Sequence, residues 1–305
     1  MAKKEINTVS KNQNYKNIGL VSIILPNYNH ASYLKKRLDC IIHQTYEHFE
    51  LIILDDASTD KSLRFLEAYK NHPKVSHYEI NQKNTGSPFQ QWQKGLQRAK
   101  GDYIWIAESD DCCDLNFLQS QIDFMKQHQL DVAVAQTYAI NNLDEIKNEV
   151  QHPIFNKTDI LKMDLDAFLY CPILNASTCL FKSNLAKSAG FFSSFNIIGD
   201  RVFYFEAFHK HKIGLNRATR SYFRKDNMGI SALNSKNFSY LKAYYYEHQK
   251  FAKQALLNGS IDKNLYRTYV KRFFNRINNR MTKVEKLKLE YLCLRIRFKL
   301  EKVLK

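Results

Sequence analysis

Two pairs of adjacent aspartates are the residues of this 305-residue chain whose types and spacing most clearly suit chemistry. Asp55-Asp56 directly follows residues 50–54 (ELIIL), and Asp110-Asp111 comes soon after residues 102–107 (DYIWIA). Adjacent carboxylates at the end of an apolar strand are costly unless a cation neutralises them. Mg²⁺ and Mn²⁺ combine a few protein carboxylates with phosphate oxygens. The pattern predicts a divalent cation and a phosphate-bearing ligand, unless the aspartates only cap the helices that follow.

The elements that must position these aspartates alternate between strand and helix. The predicted strands are 20–25, 50–54, 75–80 and 102–107, and the predicted helices between them are 32–44, 61–70 and 88–100. This alternation predicts an α/β fold with an open, mostly parallel sheet and helices on both faces. Ligands bind outside the carboxyl ends of such strands. We therefore expect residues 26–29 and both aspartate pairs to meet in one cleft.

Beyond residue 115 the same kind of pattern continues less regularly. Further strands are predicted at 131–135 and 178–182, and further helices at 116–128, 201–211, 238–257 and 262–280. Residues 284–304 carry two apolar stripes at helical spacing: Val284, Leu287, Tyr291, Leu294 and Phe298 on one side, and Leu289, Leu292, Ile296, Leu300 and Val303 on the other. The alternation from Leu292 to Leu300 also fits a strand, so both interpretations stay open.

Composition excludes several classes of protein. With 44% apolar and 25% charged residues, the chain is neither wholly disordered nor a disulfide-stapled mini-protein. It has no run of 18 apolar residues, and its first 17 residues lack the apolar core of a signal peptide. The six cysteines have no C-x-x-C spacing, which predicts reduced thiols in a cytosolic protein.

The positive charge of the chain is concentrated at its end. The formal net charge is +16, and residues 236–305 contribute +13 of it, with 18 Lys or Arg against 5 Asp or Glu. A basic segment attracts nucleic acid or an anionic membrane. Because the basic residues lie on amphipathic helical patterns, we expect no nucleic-acid partner. Docking on an anionic membrane surface is the prediction, and a helical subdomain or a dimer contact is the alternative.

Four segments together resemble the glycosyltransferase family 2 enzymes. They are 21–62 (VSIILPNYNHASYLKKRLDCIIHQTYEHFELIILDDASTDKS), 84–111 (NTGSPFQQWQKGLQRAKGDYIWIAESDD), 190–214 (GFFSSFNIIGDRVFYFEAFHKHKIG) and 224–231 (RKDNMGIS). The resemblance implies the GT-A fold, a Rossmann-like and mostly parallel sheet flanked by helices. The predicted organisation is a polar tail over 1–18, a GT-A catalytic domain over 19–235 and a basic helical C-terminal region over 236–305.

The resemblance also implies a role for individual residues. Nucleotide-sugar binding falls to Pro26 and Tyr28 around the base, Asp56 on the base, Asp110 facing ribose or sugar, and Arg224 in a segment that folds over the diphosphate. Asp111 would ligate Mn²⁺ or Mg²⁺, and Asp200 would be the general base. The chain departs from the family pattern at three places, where Gly199 replaces Glu, Gln91-Trp92-Gln93 replaces Ala-Arg-Asn, and Asp226 replaces His.

The sequence thus predicts a metal-dependent inverting glycosyltransferase of the hexosyl or N-acetylhexosaminyl type. Its donor would be a nucleoside-diphosphate sugar, UDP-linked, and its acceptor a glycan or lipid-linked molecule in bacterial surface polysaccharide or lipopolysaccharide synthesis. The predicted location is the cytoplasm, with peripheral binding to the inner face of the cell membrane. The alternative is a catalytically silent module that binds a nucleotide sugar or a polyanion. The presence of Asp111 and Asp200 argues against this alternative. The donor sugar, the linkage and the oligomeric state stay open.

Overall fold

One large mixed sheet with helices on both faces organises the chain. The computed structural model describes residues 19–155, 159–162, 169–170, 173–225 and 237–303. Within these ranges the strands are β1 (Val21–Asn27), β2 (Phe49–Asp55), β3 (Val75–Ile80), β4 (Tyr103–Ile106), β5 (Cys112–Cys113), β6 (Val132–Ile140), β7 (Ile146–Glu149), β8 (Ile160–Lys162), β9 (Cys179–Lys182) and β10 (Lys212–Arg224). The helices are α1 (Ala31–Ile42), α2 (Ser62–Tyr69), α3 (Pro88–Arg98), α4 (Phe117–His128), α5 (Gly199–Phe208), α6 (Phe238–Leu257), α7 (Lys263–Arg280) and α8 (Leu289–Val303).

The strand order is β3-β2-β1-β4-β9-β6-β10-β5, with β7 paired to β6 and β8 paired to β10. The strands predicted in the first 107 residues are parallel to one another, β1 lying between β2 and β4. Strand β9 then runs antiparallel to both β4 and β6, and β10 is again parallel to β6. The carboxyl ends of β1, β2 and β4 therefore meet at one edge, as the sequence predicts.

Buried apolar side chains on both faces hold the sheet. Strands β1 and β2 are buried along their whole length, which is why they appear in the sequence as continuous apolar runs. Helices α1, α2 and α4 pack on one face through residues such as Leu38, Leu66 and Ile122. Helices α3 and α5 to α8 contribute to the core on the other face. Burying a large apolar side chain contributes about 1.5–3 kcal/mol.

The C-terminal helices belong to that second core. Tyr245 of α6 and Phe273 of α7 lie in the same buried cluster as sheet residues, and the Phe298 ring of α8 stacks on the Phe274 ring with centroids 3.9 Å apart. Residues 289–303 form a helix, so the strand alternative for this segment is wrong. Tyr291 and Leu294, which belong to the first stripe, face the core.

Two residues of that first stripe do not face the core. Val284 and Leu287 were expected beside Tyr291, but their side chains are 71% and 77% exposed. They precede α8, in a turn and a short 3-10 helix over Glu285–Leu287, so they do not share its helical register. The second stripe faces solvent: Leu289, Ile296 and Leu300 are each more than half exposed.

Strand β10 is an element that the sequence analysis did not predict. It pairs along its length with β6, but the register shifts between Asn216 and Arg220. This irregularity interrupts the alternation of buried and exposed residues, and Arg217 lies exposed within it. The strand ends at Arg224, next to the edge where β1 and β4 end, so it helps to build the site described below.

The prediction that all six cysteines are reduced thiols is wrong for one pair. Cys40 of α1 and Cys112 of β5 form a disulfide, with Cα atoms 6.4 Å apart. No local pattern indicates this pairing, because β5 is a two-residue strand whose contact with α1 depends on the tertiary fold. Cys113, Cys179 and Cys293 are free, whereas Cys171 lies outside the described residues. Among the described helices, none is both long and apolar enough to cross a membrane.

Candidate active site

A cleft of about 460 Å³ opens at the carboxyl ends of β1, β2 and β4. It brings together six of the seven residues that the sequence analysis assigned to the site: Pro26, Tyr28, Asp56, Asp110, Asp111 and Asp200. Its remaining walls come from the start of α3, from the β4–β5 turn and from the segment before β9. Arg224, the seventh predicted residue, does not line the cleft.

The end of β1 and the first aspartate pair form one hydrogen-bonded turn. The Asp55 carboxylate accepts hydrogen bonds from the Ser58 amide (2.8 Å) and from the Asn27 side-chain amide (2.7 Å). Asp60, not either member of the pair, accepts from the Ser62 amide at the start of α2. Asp55 therefore holds the turn, and helix capping does not explain Asp56.

The carboxylate of Asp56 is buried at the floor of the cleft. One oxygen accepts from the side-chain amides of Asn81 (2.6 Å) and Gln91 (2.8 Å), and the other accepts from the Thr85 hydroxyl (2.8 Å). The Thr85 backbone amide donates to both carboxylate oxygens, at 3.0 and 3.1 Å. These donors fix the position of Asp56 between β2 and α3. A ligand that binds Asp56 must share its oxygens with them or displace one of them.

The second aspartate pair adjoins another acidic residue, Glu108. The Asp111 carboxylate accepts from the Asn175 side-chain amide (2.9 Å) and the Arg224 backbone amide (3.0 Å), so it does not cap α4. Glu108 accepts from the Trp92 indole N–H (2.7 Å). Burial, reinforced by the charge of Asp110, raises the pKa of Glu108 to about 8 and raises that of Asp111 as well.

A buried cation lies behind this acidic cluster. Arg37 of α1 is fully buried, and its guanidinium lies 4.7 Å from the centroid of the Trp105 ring. Its charge lowers the pKa values of Asp111 and Glu108, but burial outweighs it at both groups. Burial therefore makes negative charge on Asp111 and Glu108 unfavourable, and the positive charge of Arg37 offsets this effect only in part.

The cluster fits a divalent cation that is shared with a ligand. No group of three or more His, Cys, Asp or Glu side chains within the described ranges could hold a metal by itself. Asp111, Asp110 and Glu108 nevertheless line the same cleft, and burial raises the pKa values of Glu108 and Asp111. A nearby cation would stabilise the charged forms of these two carboxylates. Mg²⁺ is commonly held by one or two carboxylates plus phosphate oxygens and water. The donor set fits that arrangement.

Asp200 faces these carboxylates from the first turn of α5. Burial of its carboxyl raises its pKa, whereas the neighbouring Arg201 charge opposes the shift. The preceding residue, Gly199, packs so closely that a Cβ there would lie 2.3 Å from the Phe89 ring. This contact explains why the chain has no Glu before Asp200, since Phe89 occupies the space that any side chain at position 199 would need.

Glu206 and Asp226 are the two alternative candidates for the general base. Glu206 accepts from the backbone amides of Phe191 and Phe192, so it holds the segment before α5, and it does not line the cleft. Asp226 lies outside the described residues, as does the rest of the fourth resembling segment after Lys225.

Arg224 contacts the Asp110-Asp111 pair without lining the cleft. Its Nε donates to the Asp110 carbonyl oxygen (2.9 Å), and its other guanidinium nitrogens donate to the Asn141 carbonyl and the Asp144 carboxylate. The guanidinium also lies 4.1 Å from the centroid of the Tyr33 ring. The structure thus places Arg224 as a positioning residue for the aspartate pair.

The sequence analysis missed the site roles of Glu108, Arg37, Gln91 and Asn175. Glu108 precedes the aspartate pair by two residues, so its position was a usable signal. Gln91 was noted only as a departure from the family pattern. Arg37 follows Lys35 and Lys36, and this run resembles an exposed face, although Arg37 comes three residues after the buried Leu34. Asn175 is distant in sequence, and only the fold brings it to Asp111.

Comparisons with known proteins agree with this geometry. A family model described as Glycosyl transferase family 2 matches residues 22–210, more than half of the chain. Glycosyltransferase GlyG of Streptococcus pneumoniae is 34% identical over 129 residues, covering 41% of this chain and 40% of GlyG. Poly(ribitol-phosphate) beta-N-acetylglucosaminyltransferase TarS of Staphylococcus aureus is 31% identical over 124 residues, covering 39% of this chain and 21% of TarS. Each alignment spans less than half of the relative.

Solved structures match a larger share of the chain. The crystal structure of residues 1–349 of S. aureus TarS in complex with UDP-GlcNAc has a TM-score of 0.65 at 21% identity, covering 88% of this chain and 76% of that one. Mannosyltransferase PcManGT from Pyrobaculum calidifontis, in complex with GDP-Man and Mn²⁺, has a TM-score of 0.57 at 13% identity, covering 95% and 82%.

At these identities the structural likeness bears on the fold. It confirms the predicted α/β class, the GT-A fold with a helical C-terminal region. The family model covers β1 to β9 and every carboxylate that lines the cleft. The chain belongs to glycosyl transferase family 2.

Proposed function

We propose that the protein is a metal-dependent inverting glycosyltransferase that uses a UDP-linked sugar. The observation that carries the proposal is the convergence of Asp56, the Asp110-Asp111 pair and Asp200 in one cleft. The cleft volume of about 460 Å³ suits a small-molecule ligand. The crystal structure of TarS with UDP-GlcNAc supports the choice of a UDP-linked donor.

The acceptor that we propose is a glycan or a lipid-linked glycan of bacterial surface polysaccharide or lipopolysaccharide. The name of TarS, a poly(ribitol-phosphate) N-acetylglucosaminyltransferase, supports a surface polymer as the general class. Both hexosyl and N-acetylhexosaminyl donors fit this proposal.

The chemistry assigns a task to three of the carboxylates in the cleft. The acceptor hydroxyl oxygen forms a bond to the anomeric carbon, while the bond from that carbon to the diphosphate breaks and its electron pair stays on the diphosphate. Asp200 accepts the hydroxyl proton, and burial raises its pKa, which makes it a stronger base than an exposed aspartate. Mn²⁺ or Mg²⁺ at Asp111 would supply positive charge to the leaving diphosphate. Asp56 positions the nucleotide base.

A donor screen tests this proposal. Hydrolysis of UDP-, GDP- and dTDP-linked sugars is measured with Mn²⁺, with Mg²⁺ and with a chelator. We expect the fastest release of UDP from UDP-linked sugars with either cation present, and loss of that release in the chelator. Faster turnover of GDP- or dTDP-sugars would contradict the nucleotide assignment, and turnover unaffected by the chelator would contradict the metal.

The competing function is a silent nucleotide-sugar or polyanion-binding module. It predicts UDP binding by calorimetry without donor hydrolysis or transfer to any acceptor. The presence of both Asp111 and Asp200 in the cleft favours the enzyme, because binding alone does not need a carboxylate at the position of Asp200.

We also propose that α8 docks the protein on an anionic membrane from the cytoplasmic side. Its second stripe exposes Leu289, Ile296 and Leu300, while the opposite side of the helix is buried in the core. Helical spacing places Arg295 and Lys299 along one border of that stripe. Basic residues near an anionic surface contribute about 1 kcal/mol each. Apolar and basic residues therefore combine on one exposed face, as in helices that lie at a membrane interface.

Sedimentation with vesicles tests the membrane proposal. The variant Leu289→Ser/Ile296→Ser/Leu300→Ser removes the three most exposed of the described apolar side chains in the second stripe and leaves Tyr291 and Leu294 in the core. We expect the native chain to sediment with vesicles that contain anionic lipid at low salt, and the variant to remain in the supernatant. Leu143→Ser, at an exposed leucine in the β6–β7 turn, is the matched control and should sediment like the native chain. Equal recovery of the native chain and the triple variant in the supernatant would contradict the proposal.

A further inference from the structure

A second cavity adjoins the active-site cleft on the far side of Asp200. It has a volume of about 220 Å³ and shares only Ile197 and Asp200 with the first cleft. Its other walls come from the starts of α5 and α6 and from the end of α7. Asp200 therefore lies between two cavities. The first cavity contains the Asp110-Asp111 pair, and the second lies on the side of α6 and α7.

The second cavity is lined mainly by cations. Arg201, Arg276 and Arg280 face it, and Asp200 is the single carboxylate among the described residues that line it. Arg276 and Arg280 are one turn apart on α7, and both are exposed. Within the described parts of the chain, neither makes an ion pair with a carboxylate. The carboxylate of the nearby Glu247 accepts hydrogen bonds from the backbone amides of residues 196–198.

Two tyrosines of α6 form the wall between these arginines. The rings of Tyr240 and Tyr244 are stacked with centroids 6.4 Å apart. The Tyr244 hydroxyl accepts a hydrogen bond from Arg276 (3.2 Å), and the charges of all three arginines act on it. Aromatic rings beside guanidinium groups provide an apolar surface and charged donors within one pocket, a combination that suits a sugar or polyol carrying an anionic group.

We propose that this arginine pocket, formed by Arg201, Arg276, Arg280, Tyr240 and Tyr244, binds a phosphate group of the acceptor. The proposal rests on the proposed function, because it takes Asp200 as the base. An acceptor whose phosphate is held there extends past Asp200 into the first cleft, where its hydroxyl can contact both the Asp200 carboxylate and the anomeric carbon of the donor. The hydroxyl proton then passes to the Asp200 carboxylate as the oxygen bonds to the anomeric carbon and the diphosphate leaves with the electron pair.

Phosphate is the group that the pocket fits best. Guanidinium groups bind phosphate through paired hydrogen bonds, and a phosphate presents enough oxygens for more than one arginine. The phosphate could belong to a phosphodiester-linked polymer or to the diphosphate of a lipid-linked sugar. These sources share the same chemistry at the pocket and differ in what is attached to it, so two probes separate them.

Calorimetry at saturating UDP and Mg²⁺ tests the pocket, because UDP occupies the donor cleft. The probes are a short oligo(glycerol phosphate) and a short-chain prenyl diphosphate. The variant is Arg276→Gln/Arg280→Gln. Its matched control is Arg272→Gln, an exposed arginine one turn earlier on α7 that lies over the Tyr170 ring and does not line the pocket.

We expect the native chain and Arg272→Gln to bind at least one probe, and the double variant to bind it at least tenfold more weakly. The probe that binds more tightly identifies the source of the phosphate. Equal affinity of the double variant and the control would overturn the proposal, and so would the absence of binding to the native chain. The affinity for UDP alone is measured for all three proteins. If UDP does not bind but the probe still binds in a way that depends on the arginines, the proposed function is rejected. The proposed phosphate site is then retained.

Discussion

Replacing Asp200 with Asn should lower the rate of sugar transfer by about 10²- to 10⁴-fold while UDP binding stays unchanged. The asparagine amide cannot take the proton of the acceptor hydroxyl. It has nearly the same volume as the aspartate side chain, and its oxygen can still accept the hydrogen bond that the Arg201 backbone amide donates to Asp200 at 2.7 Å. Single-turnover transfer, alongside UDP calorimetry, measures both quantities.

The pH dependence of the native rate provides a second measurement for the same residue. A general base works only when it is deprotonated, so the rate should fall as the pH drops through the pKa of Asp200. Because burial raises that pKa, the fall should begin above the usual range of an aspartate. Glu206→Gln is the companion variant and should retain near-native chemistry, because Glu206 lies outside the cleft. Transfer by Asp200→Asn at the native rate would show that the base is elsewhere.

The second large effect concerns Asp111. Asp111→Asn should abolish the part of UDP affinity that depends on Mn²⁺, because an amide oxygen is a much weaker ligand than a carboxylate. Calorimetry of UDP with and without Mn²⁺ measures this difference. In the native protein the cation should tighten UDP binding, and in the variant the two affinities should converge.

Asp114→Asn is the matched control for Asp111→Asn. Asp114 lies three residues away and accepts from the Arg220 amide and the Tyr222 hydroxyl, outside the cleft. It should keep the response to Mn²⁺. Thermal unfolding of both variants shows whether the fold is intact. If Asp111→Asn binds UDP with native affinity in Mn²⁺, Asp111 is not a ligand of the cation.

How much the sequence could predict depended on how local the signal was. Strands β1, β2 and β4 were predictable because each is buried on both faces and therefore continuously apolar. Strand β10 was not, because a register shift and exposed charges within it break the alternation that a half-buried strand shows. The carboxyl ends of the predicted strands were enough to bring Asp56 and Asp111 into one cleft.

Residues that act through tertiary contacts could not be predicted in this way. The role of Arg224 in holding Asp110 depends on where β10 ends, and the disulfide of Cys40 depends on the contact between α1 and β5. The arginine pocket lies between α5, α6 and α7, and spacing on α7 alone places Arg276 and Arg280 on one face without showing what lies opposite. Packing, not local pattern, decides these positions.

The burial of Arg37 affects how the electrostatic interactions of the protein respond to salt. At about 0.15 M salt the Debye length is about 8 Å, so exposed charges such as those of Arg280 and Lys299 are largely screened. A cation inside the core is shielded from these mobile ions, so its attraction for Asp111 and Glu108 persists in salt. Salt should therefore weaken the electrostatic attraction of the C-terminal helices for polyanions. The attraction of Arg37 for Asp111 and Glu108 should change little.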